Sequence, residues 1–236
     1  MTKTAGPYDL FEKQLKAFTR GAKRIDDGDV EAVHRARVAS RRLREFIPVL
    51  GLENSAISKF SRRLKKVTKR LGAVRELDVL MTIIQELGTD PRISSSALTQ
   101  MTRAVQRDRT AARQRLNSKL PLEKIEQLAR RLRCAVKQRQ AHNQSQDHEP
   151  GPGSRHAWLW AVDARVTRRA AGVRSAIENA GSMYVPERLH EVRIAVKKLR
   201  YAIELEAAAR RQRETRDVAA LEATQDLLGR LHDSMC

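Results

Sequence analysis

The sequence predicts an all-α protein made of two similar helical lobes, and three observations lead there. The first is a stretch used twice. His34 to Arg44 reads HRARVASRRLR, and 156 positions later His190 to Arg200 reads HEVRIAVKKLR, aligned without a gap. The second is a companion motif: Leu71-Gly72-Ala73-Val74-Arg75-Glu76 recurs as Leu228-Gly229-Arg230-Leu231-His232-Asp233 after a shift of 157. A two-part duplication of this length implies two related units facing each other. The third is periodicity, with apolar residues recurring at i, i+3, i+4 and i+7 as in amphipathic helices.

Taken in order, the first helix is expected over 8–26, with Pro7 at its start and Leu10, Phe11, Leu15 and Phe18 on its apolar face. Gly21 is a blemish in it. Asp27-Gly28-Asp29 then makes a turn in which Asp29 can cap the helix carrying the first duplicated stretch, and Pro48 or Gly51 stops that helix. Asn54 or Ser55 begins the next. Gly88 to Pro91 is a loop, 94–120 a long helix, and Pro121 restarts the chain at the first position of a helix ending near Gln140. The polar, Pro/Gly-rich stretch 141–154 reads as a flexible linker between a first repeat, 1–140, and a second, 155–236. In the second repeat, a helix over 155–180 has Trp158, Val162, Val166 and Val173 as its core, with both Trp158 and Trp160 read as packing residues. Gly181 ends it, Pro186 starts the helix of the second stretch, and Thr215 or Arg216 starts the last.

Within each duplicated stretch His, Arg, Arg or Lys, and Arg fall at i, i+3, i+7 and i+10, which places them within about 80° of one another on a helix. His34, Arg37, Arg41 and Arg44 form one stripe, and His190, Arg193, Lys197 and Arg200 the other, with Arg42 and Lys198 beside them. Ala36, Leu43, Ile47 and Leu50 fall on the opposite face, as do Val192, Ala195, Leu199 and Ile203, so each stripe is expected to turn away from its helix's core contact. If the duplication folds the stripes toward each other, they line one basic central groove. The alternative is two solvated outer faces.

Composition narrows the ligand class. Lys and Arg number 47 against 28 acids, a net charge of +19, which calls for a polyanionic partner. Aromatic residues are only 4%, whereas modules that read single-stranded nucleic acid stack bases on exposed rings. The charge alone still permits non-specific nucleic-acid binding. Cys134 and Cys236 show no metal-ligand or disulfide spacing and fit a reducing cytoplasm, and no apolar run approaches membrane-spanning length. His142 and His148 lie in the linker and read as solvated, so no metal or cofactor is expected.

From Lys59 to Arg70 seven basic residues occur without an acid; Arg62, Arg63, Lys66, Lys69 and Arg70 extend the cationic surface in this reading. Arg75 of the companion motif joins it, while Glu76 and Asp78 are expected to pair with nearby arginines and hold them. Arginine meets phosphate oxygens two at a time and stays charged, and cations at successive turns, about 5.4 Å apart, suit a repeating anion better than a monophosphate. There is no Gly-rich phosphate loop, no nucleophile beside a His-Asp pair and no acid cluster for magnesium, so a binding protein is expected rather than an enzyme. The alternative is phosphohydrolysis or phosphotransfer using His34 or His190.

The His-x-x-Arg-Val/Ile-x-x-Arg/Lys-Arg/Lys-Leu-Arg helix, the Leu-Gly-x-x-Arg-x-x-Asp-Val-Leu segment at Leu71–Leu80 and the Leu-Gly-x-Leu-His-Asp segment near the end together resemble the CHAD family, the conserved histidine α-helical domain, over 8–236. The resemblance implies an all-helical, pseudo-two-fold domain with a basic central channel that binds inorganic polyphosphate, often at polyphosphate granules. In that frame the stripes, Arg75 and its counterpart His232 are the binding residues, joined by Arg107 and Arg113 of the long helix. The second repeat is shorter than the first: some sixty residues follow Leu80 before the linker, and three follow Asp233.

Overall fold

The computed structural model describes residues 7–25, 29–146, 152–181, 185–212 and 216–233, with backbone only at 143–146, 152–155 and 230–233. Eight α-helices account for nearly all of them: α1 Pro7–Lys23, α2 Val30–Phe46, α3 Asn54–Leu87, α4 Ser95–Lys119, α5 Leu122–Gln146, α6 Pro152–Ala180, α7 Pro186–Arg210 and α8 Arg216–Asp233. A short 3-10 helix, Ile47–Val49, follows α2. No strand occurs among the described residues, so the all-α reading holds.

Local chemistry explains the boundaries. Asp29 accepts a hydrogen bond from the Ala32 amide at 3.1 Å and so caps α2 as expected; Asp27 and Gly28 lie outside the described residues. Pro48 sits in the 3-10 turn, and Gly51 takes the left-handed conformation, φ +67°, that a larger residue resists. Ser94 caps α4 through the Ala97 amide. Pro121 directly precedes α5 rather than occupying its first turn, while Pro186 does open α7. The polar stretch is more helical than its Pro/Gly content suggested. α5 runs on to Gln146 because His142 to Gln146 contains no breaker, and α6 starts at Pro152, where the missing N–H costs nothing. Positions 147–151, His148 among them, lie outside the described residues.

The chain forms two compact units, each assembled from separated segments. One comprises the described residues of Lys13–Leu43 and Ser58–Ala135. Its core holds Leu15, Phe18, Val33, Ala36, Leu43, Leu64, Leu71, Val74, Ile125 and Leu132. Gly21, which the sequence shows only as a flaw in α1, is needed here: a Cβ at that position would lie 2.9 Å from the Ala36 backbone nitrogen, so glycine alone permits this approach of α1 to α2. Asp78 of α3 is fully buried and accepts from Arg109 Nε of α4 at 2.6 Å, with Arg113 at 3.6 Å.

The other unit comprises the described residues of Met1–Glu12, Arg44–Ile57 and Val136–Cys236. Here α6 packs on α7 and α7 on α8. Ala180, Val192 and Val196 form a cluster with Val173, Ala176, Leu221 and Leu228. Val162 and Trp158 are buried, but Trp160 is 75% exposed among the described residues, a correction to its reading as a packing residue. The core face of α7 also differs from the sequence reading. Ala195, Leu199 and Ile203 are only half-buried, and Val196, Tyr201, Ala202 and Leu205 carry the burial, because a helix packed on two sides buries more than one stripe.

Glu45, at the end of α2, is 5% exposed and takes two guanidinium groups from α6: Arg165 Nε at 2.9 Å, and Arg169 Nε and Nη2 at 2.8 Å. Removing one partner of a buried ion pair leaves charges without compensation. Glu45→Gln is therefore expected to destabilise the protein by roughly 3 kcal/mol, against almost nothing for the exposed Glu178→Gln. Thermal and urea unfolding followed by circular dichroism measures the difference, and equal midpoints for the two variants would show that the triad contributes no stability.

Candidate anion-binding site

The two duplicated motifs meet as antiparallel helix seams. In the first copy α2 and α3 run against each other with Ser40 at Thr68, Arg37 at Gly72 and His34 near Arg75. The Ser40 and Thr68 hydroxyls are 2.8 Å apart in a buried contact. The Arg37 guanidinium lies over Gly72, its Nε and Nη2 3.7 Å and Glu76 Oε1 3.8 Å from where a Cβ would stand. In the second copy Arg193 lies on Gly229 in the same way, with Nη2 3.2 Å from the Cβ position. Leu64 and Leu71 in one seam, and Leu221 and Leu228 in the other, supply matching apolar contacts. This explains why the glycine travels with the duplication: in mid-helix it is costly, and here a guanidinium packs against bare backbone.

The stripes are accordingly neither solvated outer faces nor turned away from all packing. His34, Arg37, Arg41 and Arg44 are half-buried, as are Arg42, Arg193, Lys197, Lys198 and Arg200; His190 is exposed. Arg193 Nε is buried without a hydrogen-bond partner. Only the backbone of His232 is described. Arg75 is half-buried and close enough to His34 to act on its charge.

The remaining candidates separate into two groups. Arg62, Lys66, Lys69 and Arg107 are exposed and Arg63 is half-buried, so they can extend a cationic surface. Arg70 donates to the Lys119 carbonyl at 2.7 Å and so fastens the end of α4. Arg113 donates to the Ile25 carbonyl at 3.4 Å and lies beside Asp78, which makes it a tie within the core. The expectation that an acid of the companion motif holds arginines in place is met by Asp78, while Glu76 is exposed.

Sequence reasoning passed over a set of cations on α1. A cavity of about 520 Å³ opens between α1 and α2, lined by Arg20, Arg24, Arg35, Arg42 and His34 among others. Asp29 fixes two of these, with Oδ2 3.1 Å from Arg24 and from Arg35. Arg20 and Arg24 have no duplicated partner to single them out, and α1 was legible only through its apolar face. Among the described residues no group of three or more His, Cys, Asp or Glu side chains is placed to hold a metal, and no helix is long and apolar enough to cross a membrane.

The His34 pKa lies below the ordinary histidine value. Burial is the largest cause, followed by Arg75, with Arg37 and Arg41 adding to it and Glu31 opposing. Burial thus outweighs each neighbouring arginine as a cause. A group whose folded pKa is depressed gives stability that is complete above the unfolded value of about 6.5 and is lost as pH falls from there toward the folded value. His34→Gln should flatten that loss in a urea-unfolding series between about pH 7 and 5. An unchanged pH profile would show that the imidazole ionises freely.

The sequence matches the family model described as the CHAD domain over residues 9–236. Among solved structures, the chain is similar to the crystal structure of the CHAD domain from the plant Ricinus communis, with a TM-score of 0.65 at 20% identity, covering 94% of this chain and 72% of that one. No curated protein sequence matches it significantly.

Proposed function

The chain belongs to the CHAD domain family, and from that premise we propose that it binds inorganic polyphosphate through the stripes of α2 and α7 without turning the polymer over. The family is associated with polyphosphate in general. The observation that carries the reading to particular residues is the repeated seam, in which a stripe arginine rests on a glycine and further cations follow at successive turns. Half-burial weakens solvent screening of these charges and raises the cost of their mutual repulsion in the empty protein. A chain of phosphates relieves that repulsion at several points at once, which a monophosphate does not. The reading extends to residence at polyphosphate granules in the cytoplasm.

Each phosphate contact releases condensed counterions, so affinity falls steeply with salt. Arg41→Ala combined with Lys197→Ala should weaken binding of long-chain polyphosphate and flatten the plot of log affinity against log salt, with helicity unchanged. Unaltered affinity in that double variant would exclude the stripes. Duplex RNA added at equal phosphate concentration should fail to displace the polymer, and displacement would favour general nucleic-acid binding. Incubation with Mg²⁺ or Mn²⁺ should release no orthophosphate; release abolished by His34→Ala would make the protein a hydrolase.

Binding should also take up protons. A bound polyanion reverses the field at His34, so its bound pKa exceeds its free one, and affinity rises as pH falls from above the bound pKa toward the free one and then levels off. Calorimetry in two buffers of different ionisation enthalpy counts these protons, and equal apparent enthalpies near neutral pH would show none.

A further inference from the structure

One difference between the two seams lies at a stripe arginine. In the second, Arg200 is held by Glu204, one turn on in α7, with Nε 3.5 Å from Oε1, and by Glu222 of α8. Its guanidinium carbon also lies 5.2 Å from the centre of the Tyr201 ring. Applying the two shifts of the duplication, the first-copy positions matching Arg200, Glu204 and Glu222 are Arg44, Pro48 and Lys65. Neither carboxylate has an acidic counterpart, and one is replaced by a cation. At Arg37 and Arg193 both copies set a guanidinium over a glycine.

The Glu222 side chain is 51% exposed, so it reaches Arg200 from the solvent side rather than from the core. Such a pair adds little to stability. Its effect is on the donors: a carboxylate on a guanidinium fork occupies the same N–H groups that a phosphate would take. Burial works against the charge of Arg200, yet Glu204, Tyr201 and Glu222 outweigh it and hold the guanidinium above the ordinary arginine pKa, so the group stays charged while its donors are engaged.

We propose that Glu222 is a resident competitor for Arg200, so that a phosphate polymer engages Arg200 in the α7/α8 seam only by displacing the carboxylate. The inference rests on the polyphosphate reading above and adds a specificity-setting residue to it. Glu222 acts by taking donors of Arg200 from the ligand. Because it is exposed, it can swing into water without disturbing Leu221 and Leu228, which pack against the α7 core. Glu204, half-buried in the same helix as Arg200, stays in place and continues to orient the guanidinium.

The test uses the full chain and long-chain polyphosphate in calorimetry at low ionic strength, comparing Glu222→Gln with Glu178→Gln, an exposed α6 glutamate whose loss changes net charge equally. Glu222→Gln should tighten binding by roughly two- to fivefold beyond the control, the range an exposed ion pair supports. Glu222→Lys, which restores the first-copy residue, should tighten it further. In an Arg200→Ala background Glu222→Gln should have no effect beyond the control. Equal affinities for Glu222→Gln and Glu178→Gln, or a gain that persists without Arg200, would overturn the proposal. If the unaltered chain binds no polyphosphate, the functional reading falls and the inference with it. If binding is present and lost on replacing Arg41 and Lys197 yet insensitive to Glu222, the inference alone falls.

Discussion

Two buried carboxylates gather arginines from neighbouring helices in a chain with an excess of 19 positive charges. Glu45 and Asp78 are both withdrawn from water, and each engages two arginines of a neighbouring helix. Each cluster sets two guanidinium groups on one carboxylate, an arrangement whose presence is in itself weak evidence for stability. Their value is geometric. Asp78 binds α3 to α4 in one unit, and Glu45 binds the end of α2 to α6 in the other. With those contacts fixed, the remaining cations can be held half-buried along helix seams instead of spreading into solvent.

The seams show what the duplication kept and what it changed. The glycine beneath an arginine is common to both copies, as are the leucines that flank it. Ser40 and Thr68, which share a buried hydroxyl contact in the first copy, have become Val196 and Gln225 in the second. The buried hydroxyl pair of one seam thus corresponds to a valine and a buried glutamine in the other, while the cation-on-glycine contact stayed. The electrostatics diverged more than the packing did. At one end of the second seam an arginine has acquired carboxylate neighbours, and at the other the arginine of the companion motif has become His232.

Helix content and most helix starts were legible because punctuation residues act locally: Asp29, Ser94 and Pro186 do at their positions what their chemistry requires wherever they occur. The cationic stripe was legible because a repeat at helical spacing is unlike chance. What the sequence hid depended on neighbours that periodicity does not specify. Gly21 reads as a defect until Ala36 is found against it. The stripes read as turned away from packing because a single helix has only one apolar face, whereas α2 and α7 pack on several. The contacts of Arg70 and Arg113 with the Lys119 and Ile25 carbonyls were hidden because nothing in the linear order joins them. Arg20 and Arg24 escaped notice because α1 carries no part of the duplicated motif.

The placement of the few aromatic residues has an optical consequence. Both tryptophans lie on α6, one buried and one in solvent, and the three tyrosines, Tyr8, Tyr184 and Tyr201, also fall outside 13–43 and 58–135. The unit containing the α2/α3 seam is therefore silent in intrinsic fluorescence excited beyond the phenylalanine band. Emission from this protein reports on one unit, while far-ultraviolet dichroism reports on both in proportion to their helix. A difference between the two signals during unfolding would separate the units without any label, and a tryptophan placed at Phe60 would give the silent one a voice of its own.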